Sequence, residues 1–189
     1  MKENLYPRQG LALVGLRGTG KSSVGRILAD RLGRPFADAD VELEAATGRS
    51  IPSIFQEFGE PWFRDWEERV LGELTARPNL ILATGGGVVL RESNRQRLRE
   101  FGFVVWLTAE PSLLADRLTS NPKALANRPA LTAAGTIAEL ADVLRARAGF
   151  YREVANLVVE TGGRTTRQVA EEILAGWRLT MGPAGSDRG

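Results

Sequence analysis

The chain has 189 residues, enough for one domain with an ample core, and its 43% hydrophobic and 25% charged residues are ordinary for a globular protein. It contains no cysteine and no histidine, which excludes disulfides, thiolate metal sites, a Cys nucleophile, histidine-based hydrolase triads and most zinc enzymes. The formal charge is +2, from 25 basic and 23 acidic residues with the arginines scattered rather than blocked, so no nucleic-acid footprint is expected; no apolar run approaches the roughly 20 residues of a membrane span.

Residues 1–9 are polar, without the apolar core of a signal peptide, and predict an N-terminal tail on a cytoplasmic protein. Leu11–Val14 is a short apolar run of the kind that forms a strand buried on both faces. After it comes Gly15-Leu16-Arg17-Gly18-Thr19-Gly20-Lys21-Ser22-Ser23, which matches the G-x-x-x-x-G-K-[ST] phosphate loop. The glycines let successive N–H groups face one anion, and the following helix adds its positive dipole end. Lys21 supplies charge for the β- and γ-phosphates, and Ser22 offers a hydroxyl to Mg²⁺. ATP and Mg²⁺ are therefore the expected cofactors. The helix itself is predicted from the spacing of Val24, Ile27, Leu28 and Leu32, with Gly33 placed to stop it.

Pro35–Ala37 predicts a second strand, ending in Asp38-Ala39-Asp40. Period-2 alternation puts both carboxylates on one side of the strand end. One can hold Mg²⁺ through water and the other can accept a proton from an attacking hydroxyl; the alternative is that either simply caps the helix running through Val41 to Ala46. A further helix, starting near Glu60, carries the stripe Phe63, Trp66, Val70, Leu74, with Arg64 and Glu67 on an offset face. Arg64 suits a carboxylate ligand, and an ordinary surface ion pair with Glu67 is the alternative. Whether Trp62 and Trp66 belong to the core or to a pocket wall stays open.

Leu80–Ala83 is the third predicted strand, followed by Thr84-Gly85-Gly86-Gly87, where three glycines admit a ligand close to the backbone or merely form a turn. Phe103–Leu107 and Leu157–Glu160 complete five strands. Between Arg117 and Gly135 the apolar period fails, and Asn127-Arg128-Pro129-Ala130-Leu131 falls in this stretch. Helical stripes return at Ile137, Leu140, Ala141, Leu144 and at Val169, Ile173, Leu174. Residues 179–189, rich in Gly, Pro and Ser, predict a disordered tail. Strands separated by helices predict right-handed crossovers and an α/β three-layer sandwich around a five-stranded parallel sheet. Ligands then bind at the carboxyl ends of the strands.

The order of Gly15–Ser22, Asp38–Asp40, Gly48–Ile51, Phe58–Glu67 and Gly85–Gly87 resembles shikimate kinase, over roughly residues 11–174. The resemblance implies a fold like that of P-loop nucleoside-monophosphate kinases. It places a single kinase domain at 10–178, a substrate-binding region at about 38–76 and a lid at about 117–135. It implies ATP- and Mg²⁺-dependent phosphorylation of the 3-hydroxyl of shikimate, by a monomer. Asp40 becomes the base, Ser22 and Asp38 the metal site, and Arg64, oriented by Glu67, the grip on the substrate carboxylate. Gly85, Gly86 and Gly87 line the substrate pocket, and Arg152 is a second carboxylate ligand, with a surface helix position as its alternative. Arg128 reaches the phosphates when the lid closes, while Arg117 and Arg164 meet the adenine. A kinase of another small hydroxy acid such as gluconate, or a nucleotide-binding metabolite sensor, are the other readings. The sensor is disfavoured because the tails are too short for a helix-turn-helix.

Overall fold

The protein was analysed as a computed structural model that describes residues 10–120 and 136–180. The expected N-terminal tail, residues 181–189 of the expected C-terminal tail and most of the expected lid, with Arg128, lie outside the described residues, while Leu179 and Thr180 of that tail end the last helix. The strands are β1 (Gly10–Val14), β2 (Phe36–Asp38), β3 (Ile81–Ala83), β4 (Gly102–Thr108) and β5 (Leu157–Glu160). They form one parallel sheet in the order β2-β3-β1-β4-β5. The helices are α1 (Lys21–Leu32), α2 (Ala39–Thr47), α3 (Ile51–Thr75), α4 (Glu92–Phe101), α5 (Pro111–Thr119), α6 (Thr136–Val154) and α7 (Thr166–Thr180). A 3₁₀ turn, Val88–Leu90, follows the triple glycine.

Alternation along β1 divides the core in two. Leu11 and Leu13 join Val24 and Leu28 of α1 and Ile173 and Trp177 of α7 on one face. Ala12 and Val14 join Phe63 of α3, Leu98 of α4 and Tyr151 of α6 on the other. With both faces covered, β1 is fully buried along its length, which is why its sequence is a near-continuous apolar run. Phe63 is wholly buried, and its truncation to alanine would cost about 3–5 kcal/mol. That anchor turns the neighbouring Arg64 toward the carboxyl end of the sheet.

One local expectation is extended and one is corrected. Helix α3 begins at Ile51, ahead of the helix expected from near Glu60, and is capped by Ser50, whose Oγ accepts from the Ser53 N–H. It passes through a kink at Gly59, where φ is 76° and ψ 178°. Two helical segments meet there, and the second starts near Glu60, as expected. Asp40, expected on the strand end with Asp38, stands one residue inside α2, so strand alternation does not relate the two carboxylates. Gly33 ends α1 as expected, at φ 62°. Among the described residues no helix is long and apolar enough to cross a membrane.

Candidate active site

Strands β2, β3 and β1 are neighbours, so their carboxyl ends carry the acidic pair, the glycine loop and the phosphate loop side by side at steps of about 4.8 Å. The phosphate loop is tightly braced. Thr19 Oγ1 donates to the Leu16 carbonyl at 2.8 Å, and Lys21 Nζ donates to the carbonyls of Gly15 and Leu16, each at 2.8 Å. Gly15 is required sterically: at φ 134° a Cβ would stand 2.2 Å from the Leu107 carbonyl oxygen of β4. The loop opens into a cleft of about 300 Å³ lined by Gly18, Gly20, Lys21, Ser22, Ser23 and Arg117 among others. The positive end of α1 faces it, a setting for phosphate.

Asp38 is the helix cap that the sequence offered as an alternative, and it also touches the phosphate loop. Its Oδ1 accepts from the Asp40 N–H at 3.1 Å, capping α2, while Oδ2 accepts from Ser22 Oγ at 2.5 Å. A hydroxyl and a carboxylate oxygen are thus adjacent beside the phosphate loop. Hard oxygen donors of this kind suit Mg²⁺, which is commonly held by one or two protein oxygens together with substrate phosphates. Asp40 is half-buried in the first turn of α2.

Arg64 forms the opposite wall. Its Nη1 donates to Glu67 Oε2 at 2.6 Å, and its Nε and Nη2 donate to Glu60 Oε1 at 3.0 and 2.8 Å. Burial works against the charge, but Glu67 and Glu60 outweigh it and hold the guanidinium above the ordinary arginine range, so Arg64 stays cationic at any working pH. The guanidinium rests against the third glycine, where a Cβ would fall 2.2 Å from Nη1. The loop itself is pinned from two sides. Thr84 Oγ1 and N–H donate to the Leu13 carbonyl at 2.9 and 3.1 Å. Arg147 Nη1 and the Tyr151 hydroxyl, one turn apart on α6, both donate to the Gly86 carbonyl, at 3.0 and 2.5 Å. Gly86 also abuts the phosphate loop, since a Cβ there would lie 3.5 Å from the Gly15 carbonyl oxygen. Because a trans peptide points its N–H opposite its carbonyl, the Gly87 N–H is aimed away from α6.

Neither Arg147 nor Tyr151 was expected at the site. Their four-residue spacing on one helix face is the signal that relates them. Arg152, expected near the substrate carboxylate, is exposed on α6, with its guanidinium 5.9 Å from the Trp106 ring centroid. Arg117 lies at the phosphate cleft: Nη1 donates to Thr161 Oγ1 at 2.9 Å and to the Gly18 carbonyl at 3.2 Å, and Nη2 donates to the Thr161 carbonyl at 2.8 Å. Arg164 follows β5, exposed, and is paired with Glu172 of α7. Trp62 and Trp66 pack against the edge of the core, in a stack with Phe58 and Arg69 along α3.

A family model described as shikimate kinase matches residues 17–177. The shikimate kinase of Pseudomonas syringae pv. syringae (strain B728a) is 46% identical over 167 residues, which is 88% of this chain and 95% of that protein. That of Symbiobacterium thermophilum is 44% identical over 164 residues, 87% of this chain and 93% of that protein. Among solved structures, shikimate kinase from Acinetobacter baumannii in complex with shikimate superimposes with a TM-score of 0.84 at 42% identity, covering 90% of this chain and 93% of that one. A gluconokinase from Sinorhizobium meliloti 1021 shares the fold, with a TM-score of 0.60 at 20% identity over 93% of this chain and 95% of that one. With the phosphate loop, the acidic pair and the arginine-braced glycine loop gathered on adjacent strand ends, and with relatives matching over nearly nine-tenths of its length, the chain belongs to the shikimate kinase family.

Proposed function

We propose that the protein transfers the γ-phosphoryl group of ATP to the 3-hydroxyl of shikimate, giving ADP and shikimate 3-phosphate for aromatic amino-acid biosynthesis, as a cytoplasmic monomer. The observation that carries this reading is the arginine pair around the glycine loop. Arg64 stacks against Gly87 and Arg147 holds Gly86, so two cations bracket the place where a small acidic ring would lie beside the phosphate loop. This favours Arg147 over Arg152 as the second ligand of the substrate carboxylate.

The chemistry follows from the layout. Arg64 and Arg147 hold the carboxylate, and the glycine loop presents backbone N–H groups to the ring hydroxyls. Asp40 accepts the proton of the 3-hydroxyl as its oxygen bonds to the γ-phosphorus, and the bond from that phosphorus to the β,γ-bridging oxygen breaks, releasing ADP. Lys21 and the N–H groups of Gly18 to Ser22 balance charge on the phosphate oxygens. Ser22 and Asp38 are the residues that would hold Mg²⁺, which would neutralise charge on the β- and γ-phosphates. Arg117 and Arg164 lie at the adenine end, and Arg128, outside the described residues, is the cation that closes over the transferred group.

ADP release measured with shikimate, its methyl ester, quinate, gluconate and AMP tests the assignment. Shikimate should be turned over best, and the ester should lose at least about 100-fold in kcat/KM, because two charge-assisted contacts at about 1.5–3 kcal/mol each are weakened. A preference for gluconate would support the gluconate kinase reading. Equal kcat/KM for acid and ester would remove Arg64 and Arg147 from substrate recognition. ATP binding with no turnover of any acceptor would favour a metabolite sensor.

A further inference from the structure

A guanidinium presents five N–H donors around its rim, and a carboxylate gains most by taking two that point the same way. On Arg64 two parts of that rim are closed by the fold. Nη1 is engaged by Glu67, whose side chain is only 5% exposed. The distal end, between Nη1 and Nη2, faces Gly87. A Cβ on that residue would fall 2.2 Å from Nη1 and 2.5 Å from Nη2, both nearer than the 2.6 Å to Cζ, so the Gly87 backbone stands off that end and leaves no room for a carboxylate. What remains is the Nε–Nη2 edge, the fork best matched to a carboxylate. Glu60 holds it, with Oε1 accepting from both nitrogens.

Glu60 differs from Glu67 in every respect that governs release. Its side chain is 57% exposed, so water can replace Arg64 as its partner at small cost. It follows the Gly59 kink, at the start of the second half of α3, where a carboxylate is favoured by the helix dipole whether or not it touches Arg64. The two glutamates therefore divide the work: Glu67 fixes the guanidinium and Glu60 occupies the edge that a ligand needs.

We propose that Glu60 is a built-in stand-in for the substrate's carboxylate, and that shikimate binds by displacing it from the Nε–Nη2 edge of Arg64. This deepens the function proposed above and rests on Arg64 as the reader of the carboxylate. The exchange gives selectivity. An anion repays the loss of Glu60 only if it makes both edge bonds while its remaining groups are held elsewhere in the pocket, so small anions compete poorly.

The test is Glu60→Gln, an exposed and nearly isosteric change that removes the competing charge. The KM for shikimate should fall roughly two- to fivefold, the scale of an exposed ion pair, while kcat and the KM for ATP hold. Acetate, used as a minimal carboxylate, should become a stronger competitor of shikimate by a similar factor. A rise or no change in either readout, or a loss of kcat, overturns the proposal, since a glutamate that stays to orient Arg64 would weaken binding when neutralised. Arg64→Met separates this from the underlying reading. If it leaves the shikimate KM unchanged, Arg64 does not read the carboxylate and both ideas fail. If it raises KM strongly while Glu60→Gln also raises it, only the displacement is wrong.

Discussion

In Gly87→Ala the new methyl group would stand 2.2, 2.5 and 2.6 Å from Nη1, Nη2 and Cζ of Arg64. Carbon and nitrogen in contact need about 3.5 Å, so something must retreat by about an ångström. The backbone has no reason to move, because Gly87 has φ −103° and ψ 0°, a conformation open to alanine. The guanidinium, at the far end of a flexible side chain, will yield instead. Its bond to Glu67, 2.6 Å long, must then stretch or break. The cost to the fold should be small, about 1 kcal/mol, whereas an ångström of misplacement at a substrate-orienting group can cost on the order of 100-fold in rate. The kcat/KM for shikimate should fall by about 10- to 100-fold, with the KM for ATP and the thermal midpoint nearly unchanged. A coupled ADP-release assay with shikimate titrated at saturating ATP, beside a melting curve, measures both. Unchanged kcat/KM would refute the role of Gly87 as the seat of Arg64. A large drop in the midpoint would show that the clash is absorbed by the backbone.

Lys21→Ala should abolish turnover, since it removes the cation braced across the phosphate loop; near wild-type activity in steady-state assays would undo the phosphate-loop assignment. Asp40→Asn should lose about 10²- to 10⁴-fold in kcat with little change in shikimate affinity measured by calorimetry, and a variant altered only in KM would make Asp40 a binding residue. Arg128→Ala should bind ATP and shikimate nearly normally and turn over at least about 100-fold more slowly; an unchanged kcat would show that this arginine does not reach the transferred group.

What could be read in the sequence was what is local. The phosphate loop is a contiguous run whose glycines and lysine act within nine residues, and the five strands are short apolar segments because both faces of the sheet are covered. Gly33 ends α1 through its own backbone conformation, again a local property. The start of the second segment of α3 near Glu60 was legible because Gly59 and Pro61 mark it, while the first segment, from Ile51, was missed although Ile54 and Phe63 pack into one core. Asp38 and Asp40 were identified as a pair, with strand alternation and a helix cap both open as their relation, and the structure shows the cap: Asp38 caps the helix that holds Asp40. The largest omission lay on α6, which was predicted as a helix but not as the carrier of the residues that hold the glycine loop. Arg147 and Tyr151 act on the Gly86 carbonyl, 61 and 65 residues away in sequence, and a backbone carbonyl has no letter of its own. The seat of Arg64 was hidden for the same reason: a glycine that makes a turn and a glycine that makes room for a distant guanidinium are spelled alike.

Phosphorus NMR of a reaction with ATP, Mg²⁺ and shikimate tests the central claim most directly. The account predicts one equivalent of ADP for each equivalent of a new phosphate monoester, with the phosphorus coupled to the proton on C3 of the shikimate ring. ADP accompanied by inorganic phosphate, a monoester on another hydroxyl, or no consumption of ATP would contradict it.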